Sequence, residues 1–158
     1  MTPAINIAKK LKLNFQIHEY QHDPNSDSYG LEAAEKMGVD PARVFKTLVV
    51  ADEHGKLAVA VAVVPVEHRL NLKKIAKAVG LKKMDMADPK LVERTTGYVL
   101  GGVSPLGQKK RLPTVIDITA KDLVTMFCSA GRRGLEIELS PQDLANALGA
   151  SFVEITQD

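Results

Sequence analysis

Val44-Phe45-Lys46-Thr47-Leu48-Val49-Val50-Ala51 is followed, five residues later, by Leu57-Ala58-Val59-Ala60-Val61-Ala62-Val63-Val64. Both runs are apolar and rich in β-branched side chains, and each is short enough for a strand. Glu53-His54-Gly55 lies between them and supplies turn chemistry, so the pair reads as a hairpin. The second run does not alternate with polar residues, which predicts a strand buried on both faces. Lys46 breaks the first run. A lysine on a half-buried strand is costly unless it reaches solvent, a partner charge or a ligand phosphate. An outward-facing position on an exposed sheet face would accommodate it equally well.

Upstream of the hairpin, Thr2 followed by Pro3 signals a helix N-terminus, and Ile5, Ala8 and Leu11 mark its inner stripe. Phe15 to Tyr20 alternates as a strand. A polar stretch from Gln21 to Ser28 carries the turn residues Asp23-Pro24-Asn25. A helix is expected from Leu31 to Met37, stopped by Gly38, and a short turn at Asp40-Pro41. Downstream, Asn71 caps a helix with Leu72, Ile75, Ala76 and Val79 on its inner face, ended by Gly80. Asp88-Pro89 opens another, ended by Gly97. Strands are expected at Tyr98–Leu100, Thr114–Ile118, Thr125–Ser129, Leu135–Leu139 and Phe152–Ile155, with a helix from Ser140-Pro141 to Gly149 before the last of them. Strands come in groups and do not strictly alternate with helices, so the expectation is α+β, with a mixed or antiparallel sheet.

The chain has 158 residues, 45% hydrophobic and 25% charged, and no repeat or linker, so a single domain spanning 1–158 is expected. One cysteine excludes a disulfide framework within the chain, and a reducing cytoplasm is the expected home. The start lacks a signal-peptide pattern. The most apolar stretch, Leu57 to Val66, is too short to span a bilayer. A net charge of +2 argues against a protein that coats nucleic acid indiscriminately. The cations are clustered, however: Lys73, Lys74, Lys77, Lys82 and Lys83; then Lys109, Lys110 and Arg111; then Arg132 and Arg133. Clusters matter more than totals for a phosphate backbone. Lysine-rich helix surfaces also serve solubility, which covers the first group as well as RNA binding does.

No histidine pair has metal-ligand spacing, so neither a metal nor a cofactor is expected. Cys128 lies in a predicted strand and reads as a packing residue. There is no GxSxG elbow to support a serine triad. The richest segment is Gly97 to Leu112, with Gly101-Gly102, Ser104-Pro105, Gly107 and three successive cations. Adjacent glycines let a backbone approach a ligand closely, although a turn needing them only for geometry would look the same. Ser129-Ala130-Gly131-Arg132-Arg133-Gly134 fits either an anion contact or a plain hairpin turn.

In order along the chain, Thr2-Pro3-Ala4-Ile5, Ala33-Ala34-Glu35, Phe45-Lys46-Thr47-Leu48, Gly97-Tyr98, Gly101-Gly102-Val103-Ser104-Pro105-Leu106-Gly107 and Ser129-Ala130-Gly131-Arg132-Arg133-Gly134-Leu135 closely resemble the YbaK family of aminoacyl-tRNA deacylases. That family is related to the editing domain inserted in bacterial prolyl-tRNA synthetases, and the resemblance covers essentially the whole chain. It implies a curved sheet, partly closed like a barrel, with helices around it and a cleft for the tRNA 3′ end. Lys46, Tyr20 and Ser129 would be the catalytic residues, with Lys46 orienting the RNA end. Gly101, Gly102, Ser104, Pro105 and Gly131 would contact the substrate. Two positions depart from the family pattern: Ala130 where glycine is usual, and Arg132 where lysine is common. The implied activity is deacylation of mischarged Cys-tRNA(Pro), and of Cys-tRNA(Cys), by attack of the substrate's own thiol. Water attack steered by Tyr20 or Ser129 is the competing chemistry. The competing functions are Ala-tRNA(Pro) deacylation and a noncatalytic RNA- or nucleotide-binding module. The implied partners are the mischarged tRNA and prolyl-tRNA synthetase, with no membrane.

Overall fold

A computed structural model describes residues 1–157. The hairpin formed by the two apolar runs is its organising element. β2 (Phe45–Asp52) pairs antiparallel with β3 (Ala58–Pro65), with a bulge at Val50/Ala51. The turn is closed by the Gly55 amide donating to the Asp52 carbonyl (3.0 Å), with Gly55 at φ +69, and by the Asp52 carboxylate accepting from the Lys56 amide (2.9 Å). Beyond β3 the sheet continues with parallel strands, β5 (Thr114–Asp117) and then β8 (Ser151–Val153). On the other side β2 pairs with β4 (Met84–Met86), a strand too short to announce itself in the sequence. The order β4-β2-β3-β5-β8 is a mixed sheet with β3 at its centre.

That position explains the unbroken apolar run of β3. Ala60, Ala62 and Val64 pack with Ile75 of α3 (Leu72–Ala78), while Val63 joins a second core on the opposite face. A second sheet has the order β1-β7-β6, from β1 (Phe15–Glu19), β6 (Met126–Arg132) and β7 (Leu135–Leu139). One parallel bridge, Val44 to Phe127, joins the two sheets. Both sheets are open among the described residues, so the barrel-like closure expected from the resemblance is not what the strand pairings form. The two sheets instead face a common core that includes Phe45, Val63, Ile116, Met126 and Ile137.

The helices α1 (Pro3–Lys10), α2 (Tyr29–Met37), α3, α4 (Pro89–Thr96) and α5 (Pro141–Leu148) begin and end largely at their sequence signals. Asn71, Asp88 and Ser140 side chains accept the amides of Lys74 (3.0 Å), Leu91 (2.8 Å) and Asp143 (3.0 Å). Thr2 caps α1, and its hydroxyl also donates to the Ala130 carbonyl, tying the helix to β6. Tyr98–Leu100 is not a strand. Gly97 ends α4 at φ +82, and the Gly102 amide donates to the Val99 carbonyl (3.0 Å) in a tight turn with Gly101 at φ +84 in its third position. Among the described residues the segment pairs with no strand, and Val99 and Leu100 face solvent.

Candidate active site

A cavity of about 360 Å³ opens where the two sheets meet. Its floor is β2 from Phe45 to Val49, one wall is Ser129 of β6 with Glu136 of β7, and Tyr20 stands just past the end of β1. The volume is near the lower end for small-molecule sites (about 300–1,000 Å³). It admits the end of a chain and not a double helix.

Topology brings these groups together. From the parallel bridge at Val44 and Phe127 the two strands run in the same direction, and Lys46 and Ser129 each lie two residues on. Ser129 sits directly opposite Glu136 across the β6–β7 ladder, so both side chains stand on one sheet face. The Tyr20 amide donates to the Gly134 carbonyl (2.9 Å), which fixes the start of the following segment.

The chemistry of the wall is unusual. Glu136 is 6% exposed and has no hydrogen-bond or ion-pair partner among the described residues. Burial pushes its carboxyl up to about 8, so at neutral pH it is mostly a neutral acid and a donor. Tyr20 is pushed up to about 12, by burial first and then by Glu136 and Glu32, so it too keeps its proton. Lys46 is half-buried, with no carboxylate paired to it among the described residues; burial, and then nearby Arg69, lower its pKa. The Thr47 hydroxyl is buried without a partner at the same floor. The Ser129 hydroxyl accepts the Gly131 amide (3.1 Å) and has no histidine beside it. None of the four histidines lines the cavity. His18 pairs with Glu138 (2.8 Å) and His22 with Glu32 (2.7 Å). Cys128 is fully buried, and burial raises its pKa, so its thiol is out of reach. The cleft is therefore rich in proton donors and has no activated nucleophile.

The mouth is built by α2 and the glycine loop. Tyr29 faces the opening, with the Arg133 guanidinium 4.8 Å from its ring centre, and Arg133 Nε donates to the Leu100 carbonyl (2.9 Å). Gly101 lies under this stack: a Cβ there would come within 2.8 Å of Arg133 Nε and 3.0 Å of the Tyr29 ring. Glu32 holds α2 to the segment before it, accepting from His22 and from the Asp23 amide (2.8 Å).

Of the residues singled out in the sequence, Lys46, Tyr20, Ser129 and Gly101 line this one cavity. Gly102, Ser104, Pro105 and Gly131 are not among its lining residues. Gly102 packs against the Arg132 backbone, where a Cβ would approach to 2.7 Å. Gly131, at φ +112, packs against Thr2 and Tyr98. The Ser104 hydroxyl is buried and accepts the Leu106 amide (3.2 Å), while Pro105 borders a different hollow. These glycines bring the two loops against each other, behind the wall. Ala130 needs no positive φ, since Gly131 takes that conformation, so the departure there is harmless. Sequence reading missed Glu136, Thr47 and Tyr29. Leu135-Glu136-Ile137-Glu138-Leu139 alternates perfectly and has the pattern of a strand with a solvated acidic side, but Glu136 is buried and Glu138 is partly buried and bonded to His18, Arg43 and Thr125.

A family profile described as "Aminoacyl-tRNA editing domain" matches residues 23–147. The chain belongs to the aminoacyl-tRNA editing domain family. It is 39% identical over 156 residues to EbsC of Enterococcus faecalis (strain ATCC 700802 / V583), named as a candidate Cys-tRNA(Pro)/Cys-tRNA(Cys) deacylase, covering 98% of this chain and 93% of that one. It is also 28% identical over 102 residues to a proline–tRNA ligase of Geobacter metallireducens, covering 65% of this chain and 17% of the ligase. Among solved structures it resembles a candidate trans-editing enzyme for prolyl-tRNA synthetase, with TM-score 0.82, 25% identity, and 100% and 99% of the two chains covered.

Proposed function

We propose that this protein deacylates Cys-tRNA, releasing the amino acid through attack by the substrate's own thiol. The observation that carries the reading is the donor-rich cleft without a nucleophile. Ester cleavage needs a positioned electrophile, stabilisation of a developing oxyanion and an attacking group. Lys46, Tyr20 and protonated Glu136 are donors for the first two, and Lys46 orients the RNA end as a cation. No side chain in the cleft is poised for the third, and cysteine brings its own. Its sulfur attacks the acyl carbon, the bond to the ribose oxygen breaks, the thiol proton passes to that oxygen, and a four-membered thiolactone leaves. Ser129 and Gly101 bound the space around the acyl group, while Gly102, Ser104, Pro105 and Gly131 shape the wall from behind.

Such a site supplies a discrimination that binding alone does not, since a hydrophobic pocket separates similar side chains by only about 10–200-fold. Alanine and serine lack the thiol, and a cleft of this kind leaves them attached. The test is release of labelled amino acid from Cys-tRNA(Pro), Cys-tRNA(Cys), Ala-tRNA(Pro) and Ser-tRNA, with wild type and Lys46→Ala. Release from the cysteinyl substrates alone, lost in the variant, is the expected result. Equal release from alanine would replace thiol attack by water attack. Transfer-RNA choice belongs in this reading to a partner, prolyl-tRNA synthetase in the cytoplasm; co-sedimentation of the two proteins with and without tRNA tests it.

A further inference from the structure

The cation cluster in the glycine-rich segment is not used by the cleft. Lys109 and Lys110 lie on the far side of α4, where they line a separate hollow with Lys56 from the β2–β3 turn and Arg94 from α4 itself. All four side chains are exposed, and none has an ion-pair partner among the described residues. Of the acids in the β2–β3 turn, Asp52 turns into the hairpin and accepts the Lys56 and Leu57 amides (2.9 and 3.4 Å), and Glu53 lies 3.6 Å from His54. Four unneutralised cations from three elements, gathered in one concave place, is an arrangement that stability alone does not favour.

The hollow is also held in place. The Lys109 and Lys110 amides donate to the Thr96 and Thr95 carbonyls (3.0 and 3.1 Å), clamping the loop onto the last turn of α4. α4 is the partition between the two depressions: Val92 lines the cleft, and Leu91, Arg94 and Thr95 line the basic hollow. A helix with its side chains is about 10–12 Å across. A strand ending in the cleft and crossing this partition meets the hollow within a few nucleotides.

We infer that Lys56, Arg94, Lys109 and Lys110 form a second RNA-binding subsite, which takes backbone phosphates of the acceptor end whose 3′ terminus lies in the cleft. This deepens the tRNA reading and rests on it. Phosphate contacts of this kind position a substrate without reading its sequence. They also make binding salt-dependent, with the slope of log affinity against log salt steepening by about 0.9 for each duplex phosphate neutralised.

The test compares wild type, Arg94→Ala/Lys109→Ala/Lys110→Ala, and a control that removes the same charge elsewhere, Lys73→Ala/Lys77→Ala/Lys82→Ala. Two quantities are measured: affinity for uncharged tRNA from about 50 to 200 mM KCl, and cleavage of a short cysteinyl ester of adenosine. The expected result is weaker tRNA binding in the first variant only, with the salt slope shallower by about 2–3, and unchanged ester cleavage by all three proteins. Equal affinity and slope in wild type and the first variant would overturn the subsite. So would equal weakening by the control, which would reduce the effect to net charge. Should wild type fail to cleave any cysteinyl ester, the deacylase reading falls, and the affinity comparison still decides the subsite.

Discussion

Replacing Glu136 by glutamine removes one proton-binding site and little else, since the shapes are nearly equal. The carboxyl titrates near the ordinary 4.5 when unfolded and near 8 in the folded cleft. The sign follows from linkage: the folded state holds the proton more tightly, so stability from this group is greatest at low pH and falls as pH rises from about 4.5 through 8. Inserting the two values gives a cost to folding of about 1 kcal/mol near pH 5, about 3 kcal/mol near pH 7 and about 5 kcal/mol near pH 9. Wild type therefore loses about 4 kcal/mol across that range through this residue alone. Urea unfolding at those three pH values, for both proteins, reads the effect directly. Titrating groups that do not feel Glu136 are common to the two chains and cancel in the difference, which leaves only Tyr20 and Cys128 coupled to it. Glu136→Gln should be more stable than wild type at pH 9 by several kcal/mol and by far less at pH 5. Parallel pH curves for the two proteins would show that Glu136 ionises normally, and would remove it as a neutral donor in the cleft.

Gly101→Ala should lower stability by about 1–2 kcal/mol, because φ +84 is strained for alanine and its Cβ meets Arg133 and Tyr29. Thermal melting with substrate titration checks this: the mouth should loosen and KM rise more than kcat falls. Lys46→Arg should keep deacylation within several-fold of wild type, while Lys46→Ala loses at least about tenfold, or roughly 1.4 kcal/mol of transition-state binding; loss of all activity in both would make the deprotonated amine the active form. Cys128→Ala should leave turnover intact and cost about 1–2 kcal/mol of stability from a small cavity, and a thiol reagent should label Cys128 only as fast as the chain unfolds. Glu138→Gln should weaken the protein at neutral pH and progressively less as pH falls below the ordinary carboxylate range: the Thr125 hydroxyl first, against burial, then His18 and Arg43 hold that carboxylate below its usual range. Its contribution is lost as pH falls.

Much of the fold is written locally. Caps at Thr2, Asn71, Asp88 and Ser140 and glycine stops at Gly38, Gly97 and Gly149 are short-range signals, and the helices begin and end at them. β3 is legible because burial on both faces leaves an unbroken apolar run. What failed was long-range. Tyr98-Val99-Leu100 has strand composition but pairs with no strand among the described residues, so composition misled. β4 exists because β2 offers it an edge, not because Met84-Asp85-Met86 prefers a strand. The site divides in the same way. Lys46 stood out because it interrupts a pattern. Glu136 was hidden because it obeys one: only the placement of β7 between β1 and β6, facing the hairpin, turns an ordinary alternating acid into a buried one.

Glu136 and Lys46 together suggest why the cleft is built without a base. A carboxylate ionised at neutral pH and paired with Lys46 would raise the lysine's pKa and occupy the cation that the proposed function assigns to the RNA end. Glu136 is buried and mostly protonated, and among the described residues Lys46 has no ion-pair partner, so both groups of the cavity stay free as donors. Burying this acid costs stability at neutral pH, and stability given up in a cleft is the mark of a group placed for a ligand. It also limits the chemistry available to the proposed function: with the acid neutral, the serine unactivated and the cysteine sealed behind the sheet, the protein would hold an ester in position without attacking it. Selectivity then lies in which substrates carry a nucleophile of their own, and enlarging the cavity should admit bulkier aminoacyl groups without cleaving them.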